Sequence, residues 1–215
     1  MELLDTLRRE HETIEPVARA LVAFAARVDE GADRADGEHF LRFFRLYAGR
    51  FHHAREEEVL FPALVRETEV PADRGPIHAL MGDHRQMAAA LEELAGALLE
   101  PAGGARSSPA AIRYVSMLLQ HIDAETSVLF PESEARFRRA SVLELEVREP
   151  DDEERAARDG GLELAERYGS SAEIPGLVRG EGCACCASFG VVCDGVEREW
   201  SNDLEWEDML DRVGD

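Results

Sequence analysis

"FHHAREEEVLFP", Phe51 to Pro62, and "QHIDAETSVLFP", Gln120 to Pro131, decide how this chain folds. At an offset of 69, His52 falls on His121, Glu56 on Glu125, and Val59–Pro62 on Val128–Pro131. A His-x-x-x-Glu pair puts both side chains on one face of a helix, a turn apart. The chain writes this pair twice, each time six residues ahead of the same Pro. That is a duplicated helical half-site, and each copy ends in its own apolar plug.

The flanking sequence has helical period throughout. Leu4, Leu7, His11, Ile14, Ala18, Leu21, Ala25 and Val28 form one stripe, and Leu41, Phe44, Ala48, His52, Glu56, Val59 and Ala63 a second. Ile77, Leu80, His84, Met87, Leu91, Leu94 and Leu98 form a third, and Tyr114, Leu118, His121, Glu125 and Val128 a fourth. "EGADRADG" at 30–37, "VPADRGP" at 70–76 and "EPAGGARSSP" at 100–109 break the pattern as loops. Helices of this length joined by short loops predict an all-α fold, an antiparallel up-down-up-down four-helix bundle over residues 1–140. Pro62 and Pro131 are expected to kink or end their helices at matching places. The neighbouring Val59, Leu60 and Phe61, with Val128, Leu129 and Phe130, close the floor beneath the site.

After Arg139 the character changes to a short irregular extension. Residues 141–180 read as an acidic linker: "SVLELEVREP" suits a short strand or an extended run. "DDEERAARDGGLELAERYG" suits a short helix weakened by Gly160 and Gly161. Residues 181–215 are a Cys-rich acidic tail.

The net charge of −21 argues against nucleic acid and anionic membrane surfaces as partners. Two thirds of it, −14, lies in residues 141–215. This acidity suits solubility better than a basic protein partner. The N-terminus has no apolar core of signal-peptide type, and the longest apolar run, "ALVAFAA" at 20–26, is too short to span a bilayer. A soluble cytoplasmic protein is the expectation.

His11, His52, His84 and His121 each occupy a core stripe, one per helix, with Glu56 and Glu125 on the same faces. A lone histidine on an apolar stripe is ordinarily a core residue with one satisfied hydrogen bond. Four imidazoles and two carboxylates in one core are different, because each unpaired charge costs several kcal/mol. A shared metal centre removes that cost. No Cys lies in the bundle, so a thiolate zinc site is excluded there; imidazole with carboxylate suits Fe, Mn, Zn or Cu. Ferritin-like di-iron bundles use Glu-x-x-His with four carboxylates, whereas this chain is richer in neutral imidazole. That donor set favours reversible chemistry with a small ligand over strong oxidative activation.

"REHETI" at 9–14, "HHAREEEVLFP" at 52–62, "GDHRQM" at 82–87 and "HIDAETSVLFP" at 121–131 resemble the bacterial hemerythrin-like (HHE cation-binding) family. The resemblance implies a four-helix bundle holding two iron ions bridged by an oxygen or hydroxide. His11, His52, His84 and His121 match its histidine ligands, and Glu56 and Glu125 its bridging carboxylates. Oxygen carriers of the family have a His-x-x-x-His pair on the third helix; here His78 and His84 stand six apart, about 120° away from each other on a regular helix. The fifth histidine ligand is His53, His78 or absent. His39 is expected on the surface, and Tyr114, two turns before His121, suits core packing better than the lining of a pocket.

Cys183, Cys185, Cys186 and Cys193 are not covered by the resemblance. Their C-x-C-C-x6-C spacing is open between a zinc or iron–sulfur site, redox thiols and no special chemistry. Two functions follow as expectations. One is a binding or sensing protein for dioxygen, nitric oxide or peroxide, or for iron and redox status; the other is a di-iron peroxidase, reductase or repair enzyme using the tail thiols.

Overall fold

The computed structural model describes residues 1–30, 33–99, 107–177, 200–202 and 207. The four cysteines lie outside the described residues. Among those residues the fold is helical throughout, with no strand. Helix α1 is Glu2–Asp29. Helix α2 is a continuous rod of four segments, Gly37–Arg42, Phe43–His53, Glu56–Leu60 and Phe61–Thr68. Helix α3 is Gly75–Leu99. Helix α4 joins Ser107–Ala124, Glu125–Leu129 and Phe130–Arg139, and α5 is Asp152–Tyr168. Among the described residues no helix is long and apolar enough to cross a membrane.

Pro62 and Pro131 neither end nor break their rods. In each rod the turn ahead of the Pro, Glu56–Leu60 or Glu125–Leu129, widens to π-helical hydrogen bonding, and α-helix resumes at Phe61 or Phe130. Pro has no N–H to return to the preceding turn, so a register with one bond fewer costs little there. Both π turns begin at the repeated Glu. A longer π stretch, Phe43–His53, carries the adjacent histidines. Such wide turns concentrate at functional sites because they re-aim side chains within a helix.

The stripes seen in the sequence form two apolar clusters. One gathers Ile14–Val28 of α1 with Phe40–Phe51, Met87–Leu98 and Ala111–Ile122. The other gathers Leu3, Leu4 and Leu7 with Leu60, Phe61, Leu64, Leu129, Phe130, Phe137 and Trp200. Between them in sequence on every rod lie the buried His and Glu residues. The plug residues Leu60, Phe61, Leu129 and Phe130 are buried in the second cluster, with Val59 and Val128 partly buried against it.

Ion pairs and caps tie the rod ends. The Asp29 carboxylate accepts from the Ser107 and Ser108 backbone N–H groups at 3.2 and 2.8 Å, serving the free donors at the start of α4. The Arg34 guanidinium donates to the Ala97 and Leu98 carbonyls at the end of α3.

Beyond Arg139, residues 142–150 carry no regular secondary structure. The extension is not irregular throughout: α5 is a 17-residue helix with a capping box between Asp151 and Glu154, packed on α1 and α2. Gly161 makes that packing close, since a Cβ there would lie 2.2 Å from Phe43 Cδ2. Tyr168 sits edge-on to Phe24 at 5.1 Å. Trp200 is buried in the second cluster under the Arg136 guanidinium.

Adjacent glycines therefore respond oppositely. Gly161→Ala destabilises the fold by about 1–3 kcal/mol through overpacking against Phe43, while Gly160→Ala, with nothing within 4 Å, stabilises it by roughly 0.5–1 kcal/mol. Chemical denaturation of both variants checks this. The α5 cap also sets an acid limit. Burial raises the Glu154 carboxyl, but hydrogen bonds donated to it by Arg148, the Asp151 backbone N–H and Arg50 outweigh that and hold the group at about 2, against 4.5 when free. Its stabilisation is complete above about pH 4.5 and is lost as the pH falls through 2. Glu154→Gln is expected to cost about 2 kcal/mol at pH 7, allowing for half-exposed arginines, with the gap to the parent closing towards pH 2.

Candidate metal centre

Each rod brings its share of one polar layer: Glu10 and His11 from α1, His52, His53, Glu56 and Glu57 from α2, Asp83 and His84 from α3, His121, Glu125 and Thr126 from α4. His11, His52, Glu56, His84, His121 and Glu125 are all buried. His11 Nε2 lies 3.0 Å from His52 Nε2 and 3.2 Å from Glu125 Oε2. On the other side His84 Nε2 lies 3.0 Å from His121 Nε2, which is 3.1 Å from Glu125 Oε1. Glu56 divides the same way, with Oε1 3.6 Å from His52 Nε2 and Oε2 3.6 Å from His84 Nε2.

Donor atoms thus fall into two groups, His11, His52, Glu56 and Glu125, and His53, Glu56, His84 and His121, each within 4.8 Å. The structure brings His53 into the second group. His78 is exposed on α3 and outside both groups, and His39 is exposed on α2. Tyr114 packs edge-on to Phe44 at 5.1 Å.

The outer nitrogens orient the rings. His52 Nδ1 donates to Glu10 Oε2 at 2.9 Å and His84 Nδ1 to Glu57 Oε1 at 2.6 Å. A carboxylate accepts only, so the proton sits on Nδ1 and each Nε2 turns a lone pair inward. His11 Nδ1 pairs with Thr126 Oγ1 at 2.9 Å, and His121 Nδ1 faces Asp83 Oδ2 at 3.7 Å. Glu10 is itself held by the buried Arg55 guanidinium, which also donates to the Arg148 carbonyl.

These partners obey the duplication. Glu10 and Asp83 each precede a ligand-stripe histidine and serve the histidine of the next rod. Glu57 and Thr126 each follow a repeated Glu and serve the histidine of a facing rod. The sequence reading passed over all four, together with Arg55. Their signal was adjacency to the histidines and glutamates already singled out.

Inward lone pairs about 3 Å apart repel unless a cation or a proton stands between them. Burial lowers His121, yet the Glu125 and Asp83 carboxylates outweigh it and raise it to about 9. Burial brings His52 down to about 4 and also lowers His53 and His84. Burial and the Glu125 charge push Glu56 well above the usual carboxyl range. Burial opposes ionisation of Glu125 too, but His121 and His11 hold it well below that range. None of the four Glu56 and Glu125 oxygens has a hydrogen-bond partner, nor has His53 Nε2. Five buried, unpartnered ligand atoms around shared carboxylates fit two cations.

A comparison with protein families finds the hemerythrin HHE cation-binding domain over residues 2–133. No curated protein and no solved structure gives a match.

His53→Ala is expected to weaken metal binding by roughly 10–100-fold, and Glu10→Ala to do the same by freeing the His52 ring. His78→Ala should leave binding unchanged. Chelator competition on the purified variants measures all three.

Proposed function

The chain belongs to the hemerythrin HHE cation-binding family, and from that premise we propose that it holds two iron ions between its long helices and binds a small ligand there: dioxygen, nitric oxide or peroxide. The observation that carries this reading is the division of both carboxylates between the two histidine groups. Such a donor set fits a metal-binding protein, and imidazole with carboxylate suits iron. An iron pair supplies exchangeable coordination positions and reversible one-electron chemistry to a small ligand.

The chain's own residues supply the rest. Neutral imidazoles keep the donor set less negative than an all-carboxylate one, which favours reversible binding. Leu60, Phe61, Leu129 and Phe130 exclude water from below, and Phe130 and Phe61 stack on His11 and His84 at 5.4 and 6.0 Å. The repeat is also unequal. His53 has Ile122 at its duplicated position, so the group around His11 and His52 has one imidazole fewer, which leaves a coordination position for an external ligand.

Four rods in up-down-up-down order belong to the same reading. Contacts at the rod ends support it: the Met1 amino group meets Glu134 at 4.0 Å, while Asp29 caps Ser107. Arg34, just beyond α1, meets the end of α3.

The test is metal content with an absorption spectrum. Two irons per chain with near-ultraviolet charge-transfer bands are expected; zinc, or no metal, overturns the reading. His52→Ala and Glu125→Ala are each expected to lose most of the iron and several degrees of thermal stability, since metal at about 100 times its dissociation constant contributes about 2.7 kcal/mol. Unchanged iron in either variant would sink the assignment.

A further inference from the structure

The imidazoles of the polar layer are not equally held. His11, His52 and His84 are fastened through Nδ1 by hydrogen bonds to Thr126, Glu10 and Glu57, and His121 faces Asp83. Among the described residues His53 has no hydrogen bond of this kind, and its Nε2 is buried without a partner. Ring contacts help keep it in place: it stacks on His84 at 4.2 Å, meets His121 edge-on at 5.5 Å and lies tilted to His52 at 5.4 Å. It is also less buried than the other donors.

Beside it opens a cavity of about 190 Å³ between α2 and α3, with His53 and His84 at one boundary. Phe44, Met87, Leu91 and Tyr114 give it apolar walls. At its rim Arg45 donates through Nε and Nη2 to Glu92, at 3.1 Å and at 2.9 and 3.0 Å. This charge pair neutralises itself and is exposed, so its net hold is under about 1 kcal/mol and it can open. Gly49 lines the same cavity, though glycine inside a helix costs about 1 kcal/mol relative to Ala. Its backbone does not require it, since it has no positive φ. A Cβ there would touch only the Phe44 carbonyl, at 3.4 Å. What a larger side chain would remove is the open space itself.

We propose that this cavity binds a small neutral molecule, which passes beneath the Arg45–Glu92 pair and reaches the metal pair by taking the place of His53. His53 would hold the metal through Nε2, and the incoming molecule would take that position as one neutral donor in place of another, so the exchange asks no proton of the protein. Apolar walls and a self-neutralised rim favour a neutral diatomic over an anion. This adds a second exchange position, on the side richer in histidine, to the one that Ile122 leaves open. It rests on the metal-binding reading for the exchange, though not for the cavity.

Two measurements decide it. Crystals of the full chain under xenon pressure should show xenon between Phe44, Met87, Leu91 and Tyr114; an empty cavity overturns the proposal. In the iron-loaded protein, Gly49→Leu, which fills the space and improves helix propensity, should slow nitric oxide uptake in stopped flow by roughly tenfold or more. Ala88→Phe, at an exposed position on the rim, should do the same if Gly49→Leu folds poorly. His53→Ala at saturating iron should take up nitric oxide faster than the parent. Rates equal to the parent in these variants overturn the route and the exchange. Iron content on the same samples separates the two readings: two irons with an empty cavity, or with unchanged rates, refutes this inference and leaves the metal pair standing.

Discussion

Glu56 and Glu125 are fully buried side by side, and none of their four oxygens accepts a hydrogen bond. An ionised carboxylate withdrawn from water costs several kcal/mol unless positive charge compensates it. Other features of the molecule follow from that constraint. Inward imidazole lone pairs, outer carboxylates that set their tautomers, and apolar clusters on both sides all prepare one place for cations. The π turns beginning at each Glu aim the pair, and a Pro after each makes the wider turn cheap.

Duplication explains why the site has two halves, and its departures explain why they differ. The repeat pairs Glu10 with Asp83, each serving a ring of its own half, and Glu57 with Thr126, each serving a ring of the other half. It fails at His53, opposite Ile122, and at Arg55, opposite Ala124. The first failure gives one group a third imidazole. The second buries a guanidinium against Glu10 and joins it to the Arg148 carbonyl, linking the segment before α5 to the ring of His52. α5 is thus coupled to the site through Arg148, which also pairs with Glu154.

Six candidate ligands were legible in the sequence because they lie on stripes of helical period, where a polar residue is conspicuous among Leu, Val and Phe. Their partners were not. Glu10, Glu57 and Asp83 look like ordinary charged helix residues, and the histidine that each serves lies on another rod. The choice between His53 and His78 could not be read from regular 3.6-residue periodicity, because the helix carrying His53 is π-helical. α5 was undervalued for a related reason: Gly160 and Gly161 weaken a helix in isolation, and the gain at Gly161 is its close approach to Phe43.

By itself the sequence determined the helical class, the duplicated half-site and the donor types, since periodicity and residue chemistry are local properties of the chain. Tertiary structure decided which oxygen of each carboxylate faces which histidine group, which acid holds each ring, and that His53 rather than His78 joins the cluster. Those are distances between rods, set by packing and by the π-helical register. No spacing along one rod contains them.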